Sequence, residues 1–324
     1  MNDKDKPAVI SRLSTIFLCL LTECPSACHE STGFLYNLLE FVDNTGVYDL
    51  FKEIFKKDSE LRVIQEFLVE TKLTTYIVRI LREHENLETI KCMLRLISHG
   101  ANNKIMWPSF CSDEVCEALI FRSGIEEIKN ELWEAVNAVV CTKNVQTMKN
   151  IIPQAINLIT TTYMKPTAAL AYSFDFLSKI IRRSVESFTV ESVNQLLSSI
   201  ISLLAIVPDS SNLLGAAFRL ITSCVKIKNF TQPTLDMVLP VLAAEAPSRV
   251  RCAATANCAN FILNLQDMAS KDAELFKLLT KYEDYQEICS RFLPWYSNVI
   301  SSNYRGVISI YDKGSPLMGT FSLI

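Results

Sequence analysis

Leu73-Thr-Thr-Tyr-Ile-Val-Arg-Ile-Leu-Arg-Glu83 and, after His84-Glu85-Asn86, Leu87-Glu-Thr-Ile-Lys-Cys-Met-Leu-Arg-Leu-Ile-Ser98 decide the fold. In the first stretch Leu73, Ile77, Ile80 and Leu81 recur at helical spacing, so a helix gathers them on one face. The second repeats the pattern with Ile90, Met93, Leu94 and Ile97, and Gly100 and Asn102-Asn103 close the pair. Two short amphipathic helices joined by a polar turn cannot cover their own apolar stripes. They need similar neighbours on both sides.

Those neighbours are legible in both directions. Upstream, Phe34 to Val42 and Tyr48 to Phe55 are apolar stretches separated by the turn-like Asp43-Asn44-Thr45-Gly46. Downstream, Ser112-Asp113-Glu114 opens a helix through Phe121, with acids placed at the positive end of its dipole. Ile125 to Cys141 reads as one long helix. Val145 to Thr161 follows, with Pro153 predicting a kink or a late start. Pro166 is expected in the first turn of a helix running through Ala169, Phe176 and Ile180. The remaining helices are expected at 190–207, 212–225, 234–244, 249–265, 275–279 and 285–300.

Onsets near 72, 112, 145, 189, 233 and 271 are about 33 to 44 residues apart, which suits two-helix armadillo or HEAT-like units. The small-residue run Cys252-Ala-Ala-Thr-Ala-Asn-Cys-Ala-Asn260, preceded by Arg249-Val-Arg251, allows a helix to pack closely between two others. The sequence therefore predicts an all-α fold, an armadillo/HEAT-like α-solenoid of stacked helix pairs over residues 1–302. Residues 303–324, turn-rich and partly β-branched, are expected as a short irregular, extended C-terminal segment. A globular α bundle is the alternative.

Composition narrows the function. With 49% hydrophobic residues in 324, a large core is available, and 8 glycines and 11 prolines are too few for the turns of an all-β chain. A net charge of -3 argues against a nucleic-acid coat, and isolated basic pairs such as Arg182-Arg183 read as a solvated helix face. Most of the 11 cysteines, among them Cys19, Cys92, Cys141 and Cys224, sit among apolar neighbours, as unpaired core thiols in a reducing compartment would. Lys4, Lys6 and Arg12 before Leu13 to Leu21 imitate a secretory leader. Asp3 and Asp5 interrupt its charge, and the run has helical periodicity from Val9 to Leu21. No run reaches a membrane span. The expected localisation is cytoplasmic, with the nucleus as a second compartment.

Catalytic chemistry finds little support. Cys24-Pro-Ser-Ala-Cys28-His29 offers three metal-type ligands, but no second pair follows at zinc-ribbon distance. His84 and His99 lie near helix ends, where a cation or polar cap suffices. No phosphate loop, dinucleotide fingerprint, zinc-protease motif or nucleophile elbow is present. No catalytic, cofactor-binding or metal residue is assigned, and no cofactor is expected. Trp107, Trp133 and Trp295 read as inter-helix packing, with a binding role as the alternative.

The order of segments resembles the SAPS-domain family, regulatory subunits of protein phosphatase 6. The resemblance runs through Phe41-Val-Asp-Asn-Thr-Gly-Val-Tyr-Asp-Leu-Phe51, Leu61 to Leu68, Thr75 to Leu81 and Ile90-Lys-Cys-Met-Leu-Arg-Leu-Ile97. It continues with Trp107, Val115 to Ile120, Ile151 to Ile159, Phe174-Asp-Phe-Leu-Ser-Lys-Ile-Ile-Arg-Arg-Ser184 and Pro316-Leu-Met-Gly-Thr320. Ser322 stands where the family usually has arginine, and Met318 is an added residue, so the chain looks like a divergent or truncated member. The resemblance implies a non-catalytic subunit that docks a Ser/Thr protein phosphatase catalytic subunit and helps select its substrates. An armadillo or HEAT adaptor for other proteins is the second reading, and an enzyme with an unfamiliar helical site the third.

Overall fold

Both deciding stretches are helices, Leu73–Glu83 and Leu87–Ala101, and each buries the stripe its spacing predicts. The computed structural model describes residues 6–25, 33–162, 165–245 and 252–303. Among these every regular element is helical. The chain divides into two compact units, Met1–Thr234 and Leu235–Ile324.

The first unit is a ladder. Six helices, Lys6–Glu23, Thr45–Phe55, Leu87–Ala101, Lys129–Val139, Ala168–Ile180 and Ser211–Val225, form rungs, each packed on the next. From the second rung onward their starts are 42, 42, 39 and 43 residues apart. Between them lies a second row that includes Leu73–Glu83, Asp113–Phe121, Ile152–Thr162 and Val190–Ile206. The core runs between the two rows, with Phe51, Phe55, Phe110, Phe174 and Phe176 fully buried.

Local chemistry sets the rung starts. Asn44 caps the second rung by accepting from the Gly46 amide at 3.0 Å, and Asn86 caps the third through Glu88 at 2.9 Å. Thr189 and Ser192 form a reciprocal capping box on Val190–Ile206.

Several boundaries differ from expectation. Pro153 delays its helix: one α turn at Val145–Met148 and a 3-10 turn at Lys149–Ile151 precede Ile152–Thr162. With this start at 152 rather than 145, the second row begins at 73, 113, 152 and 190, at least as regular as the ladder. The helix expected over 125–141 is interrupted, because Ile125 is extended and Glu126–Ile128 forms a 3-10 turn before Lys129–Val139. Pro166 precedes its helix, whose cap is Thr167 accepting from Leu170 at 3.2 Å. The helix expected from Thr234 begins at Lys228, because the Ile227 carbonyl accepts from Phe230, Thr231 and the Thr231 hydroxyl, closing a turn ahead of Pro233. The helix expected from Arg249 begins at Ala253, and Arg249-Val-Arg251 lies outside the described residues. So do Cys28-His29 and 304–324, which hold nearly all of the expected C-terminal segment.

The second unit carries Ala253–Lys271, packed on Ala273–Leu279, then Glu283–Glu287 and Leu293–Asn303 joined by a π-helical turn at Ile288–Phe292. Pro294 explains that turn. It lacks an amide proton, and its ring would meet the carbonyl four residues back, so the helix widens ahead of it.

Two glycines mark where a neighbour comes too close for a side chain. A Cβ on Gly46 would lie 2.8 Å from Ser11 Cα, so the first rung could not seat on the second. A Cβ on Gly100 would lie 2.4–2.7 Å from the buried Phe110 ring. Gly100→Ala is expected to cost about 1–3 kcal/mol by overpacking. Denaturant unfolding should show that loss shrinking in a Phe110→Leu background, because the two changes share one space.

Candidate functional site

Each rung turns one side to the neighbouring rungs and the core, and a narrower side outward. On the third rung the outward positions are Glu88, Lys91, Cys92, Arg95 and His99, one helical stripe between the buried Ile90, Met93, Leu94, Leu96 and Ile97. The fourth rung presents Glu131 and Glu134, the fifth Tyr172, Asp175 and Lys179, and the sixth Arg219.

These stripes are tied across rungs. Arg95 donates to Glu131 at 2.7 Å, and Arg219 grips Asp175 through two bonds of 2.7 and 3.0 Å. Asn130 accepts from the Ala169 amide at 3.0 Å, satisfying a free N–H at the start of the next rung. Lys179, largely buried, donates to the Asn137 carbonyl at 2.7 Å, and burial pushes its ammonium below the usual lysine range. Burial likewise raises the Tyr48 and Tyr172 phenols and the Cys92 thiol.

Glu134 stands apart. It is half-buried beside Arg95 and Glu131 and makes no ion pair among the described residues. Burial raises its carboxyl above the ordinary glutamate value, which Arg95 offsets only in part. An ionised Glu134 therefore works against folding. Because the folded-state value is raised, the penalty is present above it and vanishes as pH falls below the unfolded value. Glu134→Gln is expected to stabilise the fold at pH 7 by roughly 0.5 kcal/mol after allowance for solvent screening. Thermal melts should show the gain disappearing near pH 4.

Other expected site residues are dispersed. Cys24 is exposed at the end of the first rung, and among the described residues no three His, Cys, Asp or Glu come together to hold a metal ion. His84 ends Leu73–Glu83, whereas His99 is half-buried and driven toward its neutral form by burial and by Lys52. Cys19 is exposed and Cys92 half-exposed, so neither is a core thiol. Cys111, Cys116, Cys141, Cys224 and Cys258 are buried, and burial pushes Cys111 and Cys116 up to about 12, which keeps them protonated. Trp133 packs on Phe176 across two rungs with ring centres 5.8 Å apart. Trp107 is half-exposed beneath Lys143 and borders a recess of about 200 Å³ with Ala101, Asn102, Asn103 and Lys104. Among the described residues no helix is long and apolar enough to cross a membrane.

No family model and no curated protein matches the chain. Among solved structures it is similar to a designed armadillo repeat protein in complex with the peptide (KR)4. The identity is 14% and the TM-score 0.51, over 70% of this chain and 96% of that one. The fold is armadillo-like. An engineered protein from the Northeast Structural Genomics Consortium aligns at 14% identity and a TM-score of 0.46, over 83% of this chain and 97% of that one.

Proposed function

We propose that this chain is a non-catalytic scaffold that holds a protein partner on the outward side of its ladder. One observation carries the reading. Tyr48, Arg95, Glu131, Glu134, Tyr172 and Asp175 form a continuous half-exposed field across four rungs, aromatic and charged, on helices whose other sides are locked in the core. Rigid helices presenting mixed aromatic and ionic groups suit protein recognition. Glu134, without an ion pair among the described residues and unfavourable to folding when ionised, is the position in this field that a basic partner group would relieve.

The partner we propose is the catalytic subunit of a Ser/Thr protein phosphatase of the protein phosphatase 6 kind, with the scaffold steering its substrate choice. Support comes from the SAPS-like segments, two of which, Ile90 to Ile97 and Phe174 to Ser184, contribute to the third and fifth rungs and so supply Arg95 and Asp175 of this field, with Lys91, Cys92 and Lys179 beside them. The second reading, an adaptor for other proteins, is favoured by Glu134, which makes no ion pair among the described residues and would take a basic side chain of the kind the designed armadillo protein's peptide carries.

Affinity purification of the tagged chain with mass spectrometry tests both. Recovery of a Ser/Thr phosphatase catalytic subunit, lost with Arg95→Glu/Glu134→Arg, is the expected result. Its reproducible absence rejects the phosphatase partner. Partners of any kind that remain bound to the variant reject this side of the ladder as the binding surface.

A further inference from the structure

The rungs of the ladder end together. Asn103 donates to the Lys56 carbonyl at 3.0 Å between the ends of the second and third rungs. Lys143 lies 5.7 Å over the Trp107 ring between the third and fourth, and Lys179 donates to the Asn137 carbonyl at 2.7 Å between the fourth and fifth. Starts are joined likewise, Asn86 donating to Asp43 at 3.2 Å and the Ala169 amide to Asn130 at 3.0 Å. The rungs therefore run side by side in one direction, and the residues that follow them line one edge.

That edge is basic. Lys104 follows the third rung, Lys143 the fourth, Arg182 and Arg183 the fifth and Lys226 the sixth. All five are exposed, and none makes an ion pair among the described residues. In sequence Arg182-Arg183 stands isolated; folding sets it between the ends that carry Lys143 and Lys226. The connecting stretches 102–104, 140–143, 181–183 and 226 hold no Asp or Glu. At the second rung Asp58 and Glu60 follow Lys57 directly, so the unopposed charge spans rungs three to six. Helix dipoles do not account for it. The rungs bring their negative ends to this edge, but Asp113–Phe121 and Val190–Ile206, which follow the third and fifth rungs, bring positive ends that offset them. Asp113 accepts from Thr147 and Glu186 from Ser184, and Glu114 and Glu191 belong to the starts of the second-row helices.

The recess of about 200 Å³ lies in this stretch, lined by Asn102, Lys104 and the half-exposed Trp107, with Lys143 over the ring. It offers an anion two ammonium groups, and the chain carrying that anion an aromatic surface to lie on. Packed helices are about 8–10 Å apart. An extended polyproline-type chain advances about 9 Å in three residues, so an acid at every third residue meets one rung end after another.

We infer that this edge holds an acidic, extended segment of a partner protein, with carboxylates at successive rung ends and one of them seated at the Trp107 recess. A nucleic acid fits less well, because its unbroken line of phosphates would also meet the exposed Glu114 and Glu191 beside the edge. The surface lies at the rung ends rather than on the outward stripe, so neither assignment depends on the other.

Fluorescence anisotropy of the full chain with labelled (Glu-Pro-Pro)4 should show binding of roughly micromolar order that weakens with added salt, and none with (Lys-Pro-Pro)4. Lys104→Glu and Lys143→Glu should each weaken it about tenfold, with unchanged far-ultraviolet helicity because both side chains are exposed. Lys165→Glu makes the same change in net charge at an exposed residue ahead of the fifth rung, and should leave the affinity within about twofold. A wild-type chain that fails to bind (Glu-Pro-Pro)4 into the high micromolar range overturns the inference. So does an equal loss with Lys165→Glu, which reports net charge alone, or equal binding of an oligothymidylate of the same length, which makes the edge a nucleic-acid surface.

Discussion

Phe176→Ala is expected to lower the stability of the ladder by about 3–5 kcal/mol, the range for removing a large aromatic side chain from a core that cannot collapse. Phe176 has no exposed surface and meets Trp133 at 5.8 Å with a tilt of 59°, so it is the aromatic link between the fourth and fifth rungs. Rungs on either side are held by their own contacts and do not move in to fill the space. In a stack each repeat is stable only through its neighbours, so a weakened interface should also change cooperativity. Denaturant unfolding followed by circular dichroism is expected to broaden or split into two steps. Fluorescence of Trp133, at the damaged interface, should move at the earlier one. Phe176→Leu keeps most of the volume and should cost less than about 1.5 kcal/mol. A loss under 1 kcal/mol for the alanine variant would mean that the rungs are not coupled through this contact.

The rungs were legible because their apolar residues return at helical spacing and packing uses those very positions. Ile90, Met93, Leu94 and Ile97 are all buried, as are Ile77, Ile80 and Leu81. The same residues make up much of the SAPS-like strings, which therefore speak to how the helices pack. The polar residues interleaved with them, Lys91, Cys92 and Arg95, face outward instead.

What periodicity cannot give is which outward residues meet. Arg95 and Glu131 are 36 residues apart in the chain, Asp175 and Arg219 44, and only the repeat length of the folded stack brings them together. The first rung shows another limit. Its spacing gathers Val9, Ile10, Leu13, Ile16, Phe17, Leu20 and Leu21 on one broad face, so the pattern marks a helix without saying which edge of that face packs. Packing buries Leu21 and leaves Val9, Leu13, Ile16 and Leu20 outside. A third limit concerns asparagine and glutamine, which read in sequence as turn or surface residues. Asn102-Asn103 marks the end of a helix correctly, yet Asn103 is 1% exposed and Gln65 likewise.

Those buried amides share one task with Asn144, and its loss is expected to be severe. The last carbonyls of a helix have no partner within it, and here side chains from later in the chain supply the donors. Gln65 donates to Ile54 at 2.7 Å, and Asn103 to Lys56 at 3.0 Å, closing the second rung. Arg122 donates to Leu81 and His84, closing Leu73–Glu83. Asn144 closes two ends at once: its amide lies 3.0 Å from both the Val139 and the Cys111 carbonyls, while its oxygen accepts from Cys141 at 2.9 Å. Asn144→Ala strands these groups away from water, and a loss of about 3 kcal/mol is expected in denaturant unfolding. Asn144→Asp is the sharper test. It sets an acceptor where a donor faced two carbonyls, so at pH 7 the loss should exceed that of alanine. Burial among acceptors raises the new carboxyl in the folded state, so protonation supplies a donor again and stability should return as pH falls toward about 5. An aspartate variant no worse than alanine, or indifferent to pH, would show that this amide does not hold the two helix ends together.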